Sequence, residues 1–159
     1  MGSFEDPFHH GDTEYTEKGR WSLSFAAQPA SSEPTKLLEE ALTQQIIAAA
    51  IEVHRQLGPG LLESAYEACL CHELALRKIA FRRQVEVPVT YKGVALDCGY
   101  KLDLLVEDKV VLELKAVEAI LGVHEAQLLT YLRLSGKRIG FIMNFHVSVM
   151  TRGILRKVL

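Results

Sequence analysis

The apolar positions of the chain fall into a few regular patterns. From Thr35 onward, Leu42, Ile46, Ala49, Val53 and Leu57 recur at helical spacing, and Gly58-Pro59-Gly60 closes the segment with residues that cannot extend it. A second helix is predicted from about Leu61 to Lys78, with Leu62, Ala65, Tyr66, Cys69 and Leu70 along one stripe. Arg77 and Lys78 suit its last turn, where the helix dipole favours cations. The period then drops to two. Phe81, Val85, Val87 and Val89 alternate with polar residues as far as a turn at Lys92-Gly93, and Val94 to Val106 reads as a second strand, bent at Gly99. Glu107-Asp108-Lys109 is a three-residue turn into a third strand, Val110 to Ala116. A helix from about His124 to Leu134 stops at Ser135-Gly136, Ile139 to Asn144 reads as a buried strand, and Ile154 to Leu159 as a last short one. The order α-α-β-β-β-α-β-β predicts an α/β domain, a mixed sheet flanked by helices, over residues 36–159. Residues 1–35 mix Gly, Ser, Pro, His and acids with no sustained period, and read as a poorly ordered leader. Within it, Trp21–Ala27 is too short to specify a structure, and His9 and His10 lack further partners for a metal.

Composition narrows the class. A chain of 159 residues has room for one domain and one core, and 48% apolar with 24% charged residues is ordinary for a soluble protein. The longest apolar candidate, Ile46 to Val53, is interrupted by Glu52, so no bilayer span is predicted. The start lacks the basic-then-apolar order of a secretory signal, and the expected location is cytoplasmic with no membrane partner. Cys69, Cys71 and Cys98 form no CxxC pair and suggest neither a disulfide framework nor a zinc site. The net charge of −2 is unevenly spread: residues 126–159 hold no acid and six bases, Arg133, Lys137, Arg138, Arg152, Arg156 and Lys157. Such a segment is either a solvated face or a surface turned towards a polyanion, and charge alone leaves both open.

The chemistry concentrates in Leu102-Asp103-Leu104-Leu105-Val106, the turn, and Val110-Val111-Leu112-Glu113-Leu114-Lys115. Side chains alternate along a strand at roughly 3.3 Å per residue, so Glu113 and Lys115 share a face about 6.6 Å apart. A three-residue turn pairs Val106 with Val110 and sets Asp103 opposite Glu113, with β-carbons about 4.5–5.5 Å apart. A register shifted by one residue would send Asp103 to the other side. Two carboxylates at that distance repel unless a cation lies between them, and hard oxygen ligands suit Mg²⁺ or Mn²⁺. With a lysine alongside, this is equipment for phosphodiester hydrolysis. A Glu-x-Lys on a strand is also a common exposed ion pair of little energetic weight. Asp103 inside an apolar strand is harder to explain as surface, because burying an unpaired carboxylate is costly.

Asp103 followed by Glu113-Leu114-Lys115 resembles the D…(D/E)xK signature of the PD-(D/E)xK nuclease superfamily. Gly60-Leu61-Leu62-Glu63-Ser64-Ala65-Tyr66 is similar to the GxxExxY motif of a bacterial family within it, and Gly58-Pro59-Gly60, Tyr91-Lys92-Gly93, Leu102 through Val106 and His124 through Leu132 also resemble that family. The likeness covers about residues 42–159 and implies a restriction-endonuclease-like core. It implies that Asp103 and Glu113 bind the metal, with the Leu114 carbonyl as a further ligand and Lys115 assisting catalysis. Leu102 stands where the superfamily's name has a proline. By the same likeness Glu63 supplies a third carboxylate, and Tyr66 shares its helix face. Gln127 and Tyr131 resemble the QxxxY motif of RecB-like nucleases, whose side chains contact the site or DNA; His124, on the same face, would reach phosphate or water. Each of these positions also fits a helix face that merely packs on the sheet. Arg133, Lys137 and Arg138, beginning on that helix, would hold a nucleic-acid backbone without reading sequence. The expectation is a Mg²⁺-dependent nuclease acting on DNA, with RNA left open, and a homodimer or larger complex to extend a small gripping surface. The alternative is a catalytically silent module that binds nucleic acid or a partner on a nuclease scaffold.

Overall fold

The computed structural model describes residues 39–159. The expected leader, with Trp21–Ala27, His9 and His10, lies outside the described residues. Helix α1 (Glu40–Leu57) buries Ile46, Ala49, Ala50 and Val53 at three- and four-residue spacing. It ends where Gly58, at φ 65, gives its N–H to the carbonyl of His54 in a left-handed conformation that suits glycine. Helix α2 (Glu63–Leu76) starts two residues later than predicted. Tyr66 ties the intervening loop down: its hydroxyl donates to Gly58 O at 2.6 Å and accepts from Leu61 N–H at 3.1 Å. Its ring stacks on Phe145 with centroids 4.4 Å apart.

Five strands form the main sheet: β1 (Phe81–Glu86), β4 (Lys101–Val106), β5 (Val110–Lys115), β6 (Ile139–Asn144) and β7 (Ile154–Val158), adjacent in that order. All neighbours are antiparallel except β5 and β6, whose parallel pairing is bridged by α3 (Gly122–Ser135). Their positions explain the near-continuous apolar sequences of β5 and β6: central strands are covered on both faces. Leu104, Val106, Val110, Leu112 and Leu114 face the α1–α2 layer, while Leu105, Val111 and Ile142 pack with Leu128, Tyr131 and Leu132 of α3. Among the described residues no helix is long and apolar enough to cross a membrane.

The predicted α/β class and the order of the sheet strands hold, but the first two predicted strands are both cut short. The chain leaves β1 at Val87-Pro88, forms a separate ribbon of β2 (Val89–Tyr91) and β3 (Val94–Leu96), and re-enters the sheet only at Lys101. Pro88 has no N–H to give a ladder. Gly99, at φ 68, turns the chain where a straight strand was expected to bend.

A close backbone approach anchors the end of β6. Asn144 N–H donates to Gly153 O at 2.9 Å, and a β-carbon on Gly153 would lie 2.1 Å from Asn144 O. Neither backbone can yield without loosening the short 3₁₀ turn Met150–Arg152 before it. Gly153→Ala is expected to lower unfolding free energy by about 1–3 kcal/mol, measured by urea denaturation followed by circular dichroism.

Candidate active site

The β4–β5 hairpin has the register that the sequence predicts: Val106 lies opposite Val110, Leu105 opposite Val111 and Leu104 opposite Leu112. One further step brings Asp103 across from Glu113. Regular pairing gives way there. Asp103 Oδ2 accepts the backbone N–H of Leu114 at 2.8 Å, so a side chain takes the place of a ladder bond. On the other flank, Gln84 of β1 sits at φ 48 between the paired residues Arg83 and Val85. The chain is thus locally irregular on both sides of Asp103, which frees its carboxylate to turn towards β5.

Glu113 and Lys115 alternate with Leu112 and Leu114, whose side chains enter the α1–α2 core, so they occupy the opposite face, that of Val111. Glu113 is only 3% exposed. Lys115 Nζ donates to its Oε1 at 2.8 Å, and its Oε2 is buried with no hydrogen-bond partner. A buried carboxylate oxygen without a donor is costly to maintain, and such atoms are uncommon in folded proteins. Burial, and then the negative charge of Asp103, push the Glu113 carboxyl up to about 7. Burial likewise raises Asp103, against the opposing pull of the Leu114 N–H and Lys115. Burial disfavours the charge on Lys115, but the bond to Glu113 and the nearby carboxylates outweigh it and hold the ammonium above its ordinary range.

The remaining predicted residues separate into those that reach this corner and those that do not. Glu63 opens α2, and its Oε1 accepts the N–H of Ala116 at 3.1 Å, one residue beyond Lys115. Its charge acts on Asp103, Glu113 and Lys115 alike. Tyr66 is fully buried, with its hydroxyl engaged by the Gly58–Leu61 loop, so it supports the start of α2 from within the core. Gln127 Nε2 donates to Tyr131 Oη at 2.8 Å, pairing the two residues on α3. His124 Nδ1 accepts the N–H of Leu121 at 3.1 Å and caps its own helix. Lys137 and Arg138 precede Ile139, which pairs with Val110, whereas Lys115 pairs with Asn144. They therefore stand at the far end of the sheet, roughly 15 Å from the carboxylates at 3.3 Å per residue. Lys137 is also bonded to Asp108 at 2.9 Å, and Arg133 is exposed near the end of α3.

Two residues at this corner were absent from the sequence prediction. Glu67, one turn beyond Glu63, is buried and accepts from Arg83 Nε and Gln84 Nε2, both at 2.8 Å; its charge also raises Asp103. Asn144 ends β6 beside Lys115. Its amide accepts from Val117 and His146 N–H and donates to Val117 O, fixing the strap between β5 and α3. The i, i+4 spacing from Glu63 could have flagged the first, and a polar residue closing a wholly apolar strand the second.

The sequence profile of the PD-(D/E)XK nuclease superfamily matches residues 40–157, nearly all of the described domain. The chain belongs to that superfamily. No curated protein and no solved structure matches it. PD-(D/E)XK nucleases generally use divalent metals and act on nucleic acid. The residues here suit such an ion: an orphaned, buried carboxylate oxygen stands beside a second carboxylate. Among the described residues no group of three or more His, Cys, Asp and Glu side chains is arranged to hold a metal. Two carboxylates are enough for Mg²⁺, which retains waters and takes other ligands from phosphate.

Without metal, the raised Glu113 makes a stability test with a definite sign. A carboxyl whose folded value lies above its ordinary 4.5 favours the protonated folded state, so its contribution is full below about 4.5 and is lost as pH rises to about 7. Glu113→Gln cannot titrate. In EDTA, the variant should gain on the wild type by up to roughly 3 kcal/mol between pH 4.5 and 7.5, at 1.36 kcal/mol per unit. Parallel stability–pH curves for the two proteins would contradict the burial of this carboxylate.

Proposed function

We infer that the chain is a Mg²⁺-dependent nuclease, served also by Mn²⁺, that hydrolyses phosphodiester bonds in DNA. The observation that carries this reading is Glu113 Oε2, buried and without a donor beside Asp103, with Lys115 on its other oxygen. Asp103, Glu113 and the Leu114 carbonyl would hold the ion, and Glu63 would serve as an accessory carboxylate from α2. A bound divalent cation would neutralise charge on the phosphate and lower the pKa of a water. Lys115, held as an ammonium, would leave Glu113 when that carboxylate engages a cation, and would donate to a phosphate oxygen as negative charge grows there. Asp103 is oriented by the Leu114 N–H, which costs no rearrangement at the moment of reaction.

Gln127 and Tyr131 form a donor pair on α3 suited to a nucleotide passing over the Val111 side of the sheet, with His124 nearer the strap. Their likeness to the RecB-like pattern favours DNA, with RNA as the competing substrate. The GxxExxY resemblance points to a bacterial enzyme, and a cytoplasmic location completes this reading. Arg133, Lys137 and Arg138 would meet only nucleic acid that extends well beyond the scissile bond, and a homodimer or larger complex would add grip there.

The test is cleavage of single-stranded and duplex DNA, with matched RNA, in Mg²⁺ and Mn²⁺. Removing Lys115 as alanine would leave a buried carboxylate uncompensated, so Lys115→Gln, which keeps a donor towards Glu113, is the cleaner variant. It should lose about a hundredfold or more in rate while its circular dichroism spectrum is unchanged. Wild-type turnover by this variant would refute the role of Lys115, and binding without cleavage by the native chain would make it a silent module.

A further inference from the structure

The β2–β3 ribbon takes no part in the main sheet, and it leaves from the end of β4 that carries Asp103. Its pairing sets Val89 opposite Leu96 and Tyr91 opposite Val94. Directly opposed residues share a face, so these four form one apolar side, with Thr90 and Ala95 on the other. That side is turned to solvent: Tyr91 is 61% exposed, Val94 58% and Leu96 41%. Strands of three residues cannot offer the roughly 800 Å² per partner that a stable protein interface buries. The face is of a size for one or two flat rings.

At the root of the ribbon lies a cavity of about 370 Å³, lined by Val87, Pro88, Leu96 and Tyr100 together with the acidic residues Glu86 and Asp97. Asp97 Oδ1 accepts the Gly99 N–H at 3.1 Å, and Glu86 stands 3.7 Å from Lys101 Nζ. Each carboxylate keeps a second oxygen for a ligand. The Tyr100 ring meets Tyr131, partner of Gln127, edge-on at 6.2 Å. Tyr100 is three residues from Asp103, about 10 Å along extended chain. Lys92 lies over the Tyr91 ring at 5.6 Å. Apolar walls, an aromatic ring and two acceptors are what a nucleobase with an exocyclic amino group needs. The ring stacks, and the carboxylates take its N–H donors.

We propose that this cavity receives an unpaired, amino-bearing base of the strand whose backbone passes Asp103, which makes single-stranded or frayed nucleic acid the preferred substrate. This rests on the nuclease reading, but binding in EDTA separates the two. Fluorescence anisotropy of the full chain with labelled oligo-dC, oligo-dA, oligo-dT and a blunt duplex is the measurement. Oligo-dC and oligo-dA should bind more tightly than oligo-dT or the duplex. Tyr100→Ala should weaken oligo-dC by about tenfold, and Tyr100→Phe, which keeps both the stacking ring and the packing on Tyr131, should bind as the wild type does. Tyr100→Ala binding like the native chain, or oligo-dT binding as tightly as oligo-dC, would overturn the proposal. So would concentration-dependent dimerisation lost in Leu96→Asp without any DNA binding, which would give the face to a second copy. Tyr100-dependent binding with no cleavage in Mg²⁺ would keep the cavity and remove the nuclease; cleavage indifferent to Tyr100 would do the reverse.

Discussion

Glu113 is held in a position that is unfavourable for a carboxylate on its own. One oxygen is tied to Lys115, the other is sealed from every donor, and the charge of Asp103 lies close by. Folding must supply this cost from elsewhere, and it does so through the central strands, where Val110–Leu112, Leu114 and Ile139–Met143 are buried. Set among buried neighbours, the Glu113 carboxyl cannot relax by moving outwards. Strain of this kind, kept in place by a rigid surround, is a common signature of a site prepared for a ligand.

The neighbouring elements follow from that placement. Asp103 can face β5 because its own strand breaks pairing at that residue and the Leu114 N–H takes its carboxylate. Glu63 and Asn144 then clamp the chain on leaving β5, one at Ala116 and the other at Val117. Two elements distant in sequence, α2 and β6, therefore fix the two residues after Lys115. That explains why α2 begins at Glu63: the first residue of the helix contributes its side chain to the strap, and Tyr66 holds the loop before it.

Much of this was legible in the sequence, and the reason is local. The hairpin turn is short and the residues flanking it are apolar, so the period of two fixed the register and with it the opposition of Asp103 to Glu113. The five strands of the sheet were likewise readable from alternation and from the buried run Ile139–Asn144. What escaped was the ribbon, because Val87, Val89, Val94 and Leu96 continue the same alternation whether or not the strand stays in the sheet. Pro88 and Gly99 carried the signal, and hydrophobic period alone outweighed them. Glu67 and Asn144 escaped because their roles depend on partners 16 and 27 residues away, Arg83 and Val117. Nearness in sequence also hides distance: Lys137 and Arg138 follow Gln127 closely, yet α3 carries the chain along the sheet before they occur, away from the carboxylates.

That separation bears on how such a small domain would treat a nucleic acid. A grip made mainly of distant cations would hold a long duplex by its phosphates, indifferent to what lies at the site. Lys137 is partly withdrawn from that role by Asp108, which also binds Arg82 at 2.6 Å. The surface on the ribbon side of Asp103 instead exposes Tyr100, Tyr91, Val94 and Leu96, and its chemistry suits rings better than phosphates. Selection at the site would then come from whether bases are free to leave their stack, since a paired base cannot present its face to a tyrosine without first being unstacked. On the nuclease reading, the irregular segment between β1 and β4 would decide what is cut, while the β4–β5 hairpin beside it would decide how.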